Sequence, residues 1–144
     1  LDDAVTAATL HDVGKLILHS IDPSAYAQTC RFAEQGTQPL VDAEREVFGT
    51  DHASVGAYLL NLWGLPQSIV EIVGLHHTPT RAYEMAFSPL TAVVASNWFC
   101  RLIEDGQPEE LSDELTRYFE MVACRQKLQP WCDTLESRFP PITD

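Results

Sequence analysis

His11 and Asp12 are adjacent, in the run Leu10-His-Asp-Val-Gly-Lys15, and His52 and the pair His76-His77 follow far downstream. Neighbouring His and Asp offer an imidazole nitrogen and a carboxylate oxygen within one turn of chain, and the later imidazoles can complete a shell around a divalent cation. The sequence has five histidines, and four of them belong to this set. The chemistry such residues support is metal-assisted attack on a phosphate. A lone histidine of this kind is more often a hydrogen-bonded structural group. Several of them ending separate apolar seams favour a shared polar or metal site.

The elements that must place these residues read as short helices divided by Gly and Pro, with no alternating strand pattern, so the expected class is all-α. A helix over about 2–10 breaks at His-Asp-Val-Gly and resumes through Lys15 to His19. Asp22-Pro23 reads as a cap and first turn, with Gly36 ending that helix. A charged helix covers Pro39 to Phe48 and stops at Gly49. Thr50 is expected to cap the next, which runs to Gly64, and Pro66 opens another leading to His76. Residues 78–87 show no periodicity and read as a loop. Ser88-Pro89 opens a helix to Glu104, ended by Asp105-Gly106. Ser112 caps a helix expected to reach about Lys127, and Pro130 starts a last short one.

Ala4, Ala7, Ala8 and His11 share one helix face, as do His52, Gly56 and Leu59, and Gly56 permits close approach of a neighbouring helix. Ile69, Ile72, Val73 and His76 form a third stripe, and Leu90, Val93, Val94 and Asn97 a fourth. Polar groups ending apolar seams need partners, because an unpaired buried polar atom is costly. His19 sits in the last turn of its segment, where a cation suits the helix dipole, and receives no site role. The acidic runs Asp42-Ala-Glu-Arg-Glu46 and Glu109-Glu110 read as solvated helix faces.

The net charge of −12, with two lysines and seven scattered arginines, argues against binding duplex nucleic acid, which needs clustered cations. An acidic chain can still take a small phosphate-bearing molecule where a metal supplies positive charge. No apolar run approaches the roughly 20 residues that cross a bilayer, and no secretory signal opens the chain, so a cytoplasmic protein that does not enter membranes is expected. Cys30, Cys100, Cys124 and Cys132 lack Cys-x-x-Cys spacing and read as reduced core thiols. No nucleophile elbow, P-loop or dinucleotide-binding glycine pattern occurs. A start at Leu1 suggests a piece of a longer or processed chain.

Four segments, taken in order, resemble the HDOD domain of the HD superfamily, a relative of the HD-GYP phosphodiesterases: Thr9-Leu-His-Asp-Val-Gly-Lys-Leu-Ile-Leu18, Glu44-Arg-Glu-Val-Phe-Gly-Thr-Asp-His-Ala-Ser-Val-Gly-Ala-Tyr-Leu-Leu60, Leu62-Trp-Gly-Leu-Pro66 and His76-His-Thr-Pro79. The resemblance implies an HD-type multi-helix bundle over 1–104; the tail carries no such signal, and 105–144 is expected to be a helical extension packed on the same domain. It implies a ligand set of His11, Asp12, His52, His76 and His77 for iron, manganese or zinc, with Lys15 contacting phosphate and Asp12 and Lys15 acting in catalysis if the chain is an enzyme. Two departures weaken catalysis: Asn97 stands where a late ligand Asp is expected, and Thr78-Pro-Thr-Arg81 replaces Gly-Tyr-Pro after His77. A further upstream His would precede Leu1. HDOD domains resemble regulatory modules that lost hydrolysis and often follow a receiver domain in bacterial response regulators. The expectation is therefore a non-catalytic signalling output module, coupled to an upstream receiver or sensory domain and to a protein partner. The alternative is a metal-dependent phosphohydrolase acting on a nucleotide or cyclic dinucleotide.

Overall fold

Short helices make up most of the described residues, and the side chains of Asp22, Asp51 and Ser112 each cap the start of one. The computed structural model describes residues 2–36, 38–105 and 111–138, the side chains of 101–105, 135 and 136 excepted. The helices are α1 (Asp2–Leu10), α2 (Val13–Ile21), α3 (Pro23–Glu34), α4 (Leu40–Phe48), α5 (His52–Leu62), α6 (Gln67–Leu75), α7 (Pro89–Asp105), α8 (Asp113–Met121) and α9 (Leu128–Arg138), with no strand among the described residues. The class is all-α, as expected. No helix is long and apolar enough to cross a membrane, among the described residues. The expected helix end at Gly106 and the Glu109-Glu110 face lie outside the described residues.

The chain forms two compact units, Leu1–His77 and Thr78–Asp144. In the first unit α5 packs against both α2 and α6, α1 lies on α6, and α3 bridges α2 and α4. Its apolar core includes Ala7, Leu18, Tyr26, Ala53, Leu60, Ile69, Ile72 and Val73. In the second unit α7 packs on α9, and α8 lies against a 3-10 turn at Pro79–Arg81 within the segment expected to be loop. Its core includes Leu90, Val93, Val94, Phe99, Tyr118, Phe119 and Val122.

Local chemistry accounts for the boundaries. The Asp22 carboxylate accepts from Ala25 N at 2.9 Å, with Pro23 as the first helical residue of α3. Gly49 takes a left-handed φ of 71° and closes α4. Two expectations need correction here. Asp51, not Thr50, caps α5, since its Oδ1 accepts from Ser54 N at 2.7 Å. The helix begun by Ser112 stops at Met121 rather than near Lys127, and the chain then turns through Ala123 at φ 54°, a conformation that ends a helix.

Backbones approach closely at the crossing of α2 and α5. A Cβ on Gly14 would sit 2.0 Å from the carbonyl oxygen of His52 and 2.9 Å from Gly56 N. No side chain fits there, and the contact is with backbone that cannot swing away. The glycine of His-Asp-Val-Gly-Lys thus sets how near the turn at His11-Asp12 comes to the start of α5. The reading of Gly56 as a close-approach position agrees with this geometry, because its own added Cβ would lie 3.3 Å from Gly14 N.

None of the four cysteines is in a disulfide, and only Cys124 and Cys132 are buried. Cys30 is half-buried and Cys100 is exposed, which corrects the expectation of four core thiols.

A candidate metal centre in the first unit

The residues that could do chemistry lie at helix ends. His11 and Asp12 form the turn between α1 and α2, His52 is the first residue of α5, and His76 and His77 follow the last residue of α6. The α2–α5 crossing at Gly14 and Gly56 and the packing of α5 on α6 bring these ends together. The centroids of the His76 and His77 rings are 4.1 Å apart, His52 and His77 4.9 Å, His11 and His76 5.0 Å, and His52 and His76 5.4 Å.

The hydrogen bonds decide which nitrogen each ring turns inward. His11 Nδ1 lies 2.7 Å from Ala8 O, and His76 Nδ1 lies 2.7 Å from Val73 O. A carbonyl oxygen only accepts, so both Nδ1 atoms carry hydrogen and both Nε2 atoms are left as lone-pair donors in the neutral rings. His52 Nδ1 lies 2.6 Å from Glu44 Oε2, which also accepts the backbone N–H of His52 at 2.9 Å. On the inner side, His52 Nε2 is 3.0 Å from His77 Nε2, so that pair shares a proton, one nitrogen donating and the other accepting.

Asp12 is the hub. Its Oδ2 takes the Lys15 ammonium at 2.7 Å and lies 3.5 Å from His11 Nε2. Its Oδ1 lies 3.2 Å from His52 Nε2 and 3.9 Å from His76 Nε2. Neither contact has hydrogen-bond alignment, and Asp12 Oδ1 and His76 Nε2 remain buried polar atoms without a hydrogen bond. Burial alone would raise the Asp12 carboxyl, but the His52 imidazole and the Lys15 ammonium outweigh it and hold Asp12 well below the usual carboxylate range. For His52 burial opposes protonation, yet the carboxylates of Asp12 and Glu44 prevail and raise it. Burial pushes His76 down to about 4, which leaves its ring neutral at pH 7.

This donor set suits a divalent transition metal. Two overlapping groups, His52 with His76 and His77, and His11 with Asp12 and His76, each hold their ligand atoms within 4.8 Å of one another. Imidazoles with one carboxylate match iron, manganese or zinc. Asp12 Oδ1 and His76 Nε2 are left without hydrogen-bond partners among these groups, with the His76 Nδ1–H already satisfied by Val73 O, so both are available to a cation.

The structure therefore brings together His11, Asp12, Lys15, His52, His76 and His77. Asn97 belongs to the second unit, where it lies half-buried on α7. His19 is exposed at the end of α2, against the edge of Tyr26. Of the apolar seams, Ile69, Ile72, Val73 and His76 are all buried, whereas only Ala7 is buried on the α1 face.

Sequence reading missed Glu44. Read as part of a solvated acidic face, it is fully buried and accepts from the Tyr26 hydroxyl at 3.2 Å as well as from His52. The signal was its register: Glu44 stands four residues after Leu40, three after Val41 and four before Phe48, on the apolar stripe of α4. Asp42 and Glu46 do face solvent, and Arg45 reaches back to hold both Asp42 and the buried Asp51 cap.

Among known proteins, the HDOD domain matches residues 1–79, just over half the chain. A protein of Treponema pallidum (strain Nichols), described as uncharacterized, is 25% identical over 139 residues, covering 95% of this chain and 27% of its own length. The chain thus spans about a quarter of that relative. No solved structure matches.

Proposed function

The chain belongs to the HDOD family, and on that premise we propose that it is a regulatory output module whose first unit holds a divalent metal without turning over a substrate. The observation that carries this reading is the inward convergence of the Nε2 atoms of His11, His52 and His76 on Asp12, from three separate places in the chain. A metal held there would tie together the ends of α1, α2, α5 and α6, and its presence would be felt in how those helices pack. Lys15, the residue that resemblance assigns to phosphate, is held by Asp12 at 2.7 Å. In this proposal the module works in the cytoplasm, downstream of a receiver or sensory domain, and passes its state to a protein partner. Large apolar side chains exposed on the first unit support a binding role, among them Leu16 on α2, Tyr58 and Leu62 on α5, and Trp63 just beyond.

A second reading has one observation in its favour: Asp12 and Lys15 are only partly covered, with side-chain exposures of 37% and 33%, so an anion from solvent can reach them. The chain would then be a phosphohydrolase for a nucleotide or cyclic dinucleotide. The bound cation would supply Lewis acidity and a hydroxide near neutral pH. Lys15 would leave Asp12 to meet phosphate charge.

Turnover separates the two. Protein with whatever domains flank this chain, loaded with Mn²⁺ or Fe²⁺, is assayed on cyclic dinucleotides and nucleotide phosphates. The regulatory reading expects no hydrolysis above the Lys15→Ala background. Hydrolysis that Lys15→Ala abolishes would replace it with the enzymatic one.

A further inference from the structure

Glu44 has no place in the chemistry of either reading, yet it is the most completely enclosed charged side chain near the cluster, at 0% exposure. Its Oε2 accepts two hydrogen bonds from one residue, the backbone N–H of His52 at 2.9 Å and the ring Nδ1 at 2.6 Å. Its Oε1 accepts from the hydroxyl of Tyr26, which is itself buried on α3. The carboxylate is therefore fixed by α3 on one side and grips His52 at two points on the other. Two grips on one residue define both the direction of the ring and the atom that holds its hydrogen.

We infer that Glu44 is a positioning residue that holds hydrogen on His52 Nδ1, so that in the neutral ring the Nε2 lone pair is the atom presented to Asp12, His76 and His77. An oxygen already accepting the backbone N–H acts as an acceptor, and Nδ1 at 2.6 Å must then be a donor. His11 and His76 obtain the same result from main-chain carbonyls three residues earlier on their own helices. His52 opens α5 and has no preceding helical turn to supply such a carbonyl. A side chain from α4 takes its place. A carboxylate behind an imidazole also raises the basicity of the opposite nitrogen, as carboxylate–histidine pairs behind bound metals do. The tautomer stands on the hydrogen bonds alone; its consequence for metal affinity rests on the metal centre proposed above.

The test is a long-range ¹H–¹⁵N correlation spectrum of histidine-labelled, metal-free protein at a pH where the His52 ring is neutral, paired with Zn²⁺ titration by calorimetry. The five rings are assigned by single substitutions. The wild type should show hydrogen on Nδ1 of His52 and a bare Nε2. Glu44→Gln keeps an acceptor facing Nδ1 and should keep that tautomer, while Zn²⁺ affinity falls roughly 10–100-fold through loss of the charge. Glu44→Leu should give a mixed or reversed tautomer and a larger loss of affinity. Hydrogen on Nε2 in the wild type, or an unchanged tautomer in a folded Glu44→Leu protein, would overturn the inference. The wild-type spectrum decides even if Glu44→Leu does not fold. A wild type with the expected tautomer but no Zn²⁺ binding would remove the metal reading and leave the positioning role intact.

Discussion

The two units bury different things. Among the described residues, the first unit encloses Thr29, Glu44, Asp51, His52 and His76, whereas the second encloses Thr91 as its one buried polar residue outside the aromatic and thiol groups. Thr91 is met by the Tyr118 hydroxyl at 2.8 Å and accepts from Ser88 N at 3.2 Å, a satisfied hydroxyl in an otherwise apolar core. Enclosing a carboxylate, an aspartate and two imidazoles carries a desolvation cost that apolar packing does not. The first unit carries that cost and the second avoids it, although both are helical and close in length. The contrast places most of the buried polar groups of the described residues between α1 and the end of α6. The second unit is built as ordinary packing, with an apolar cleft lined by Phe87, Ala95, Phe99 and Trp131.

Substitutions that attack the polar unit should therefore cost more than those in the apolar one. The largest effect is expected from Gly14→Ala, which drives a methyl into the His52 carbonyl at the α2–α5 crossing. A loss of about 4 kcal/mol in urea unfolding is expected, at the upper end for overpacking because backbone meets backbone. A loss under about 1 kcal/mol would mean the crossing is looser than described.

Metal comes next. Zn²⁺ or Mn²⁺ at a hundred times its dissociation constant should stabilise the wild type by about 2.7 kcal/mol, seen as a rise in Tm, and chelation should reverse it. His76→Ala should abolish the response, and Thr91→Val should leave it untouched. An equal response in both variants would place the binding outside the histidine cluster.

Asp51→Ala removes the cap of α5 and leaves Arg45 Nε and Nη2 without the Oδ2 they share. The expected cost is about 2 kcal/mol, with faster amide exchange confined to the first turn of α5. Uniform exchange along α5 would show that Asp51 serves overall stability rather than the placement of His52. The smallest effect belongs to the second unit, where Thr91→Val breaks the hydrogen bond to Tyr118 and should cost about 1 kcal/mol by chemical denaturation. A cost equal to that of Gly14→Ala would erase the distinction between the units.

The fold was largely readable because the local signals are strong. Asp22-Pro23, Gly49 and Pro66 stand where helices change, and the Ile69–His76 stripe has an unambiguous helical period. Most of the cluster was readable too, because His-Asp adjacency and a double histidine are rare patterns with few structural uses. Thr50 and Asp51 are both good caps, and only the turn geometry after Gly49 chooses between them. The end of α8 depended on a left-handed Ala123, which nothing in the identity of alanine announces. Glu44 was lost because acidic neighbours suggested solvent, while its register on α4 pointed inward. Exposure of Cys100 was equally hidden, since apolar neighbours on a helix do not all face the same way.

The account stands on the first unit holding a cation. The most direct test is metal content per chain by mass spectrometry on untagged protein, with wild type compared against His76→Ala and Asp12→Ala. Near-stoichiometric iron, manganese or zinc that is lost in both variants is the predicted result. A wild type that stays metal-free after loading with excess ion would contradict the account and leave the histidines as a hydrogen-bonded scaffold.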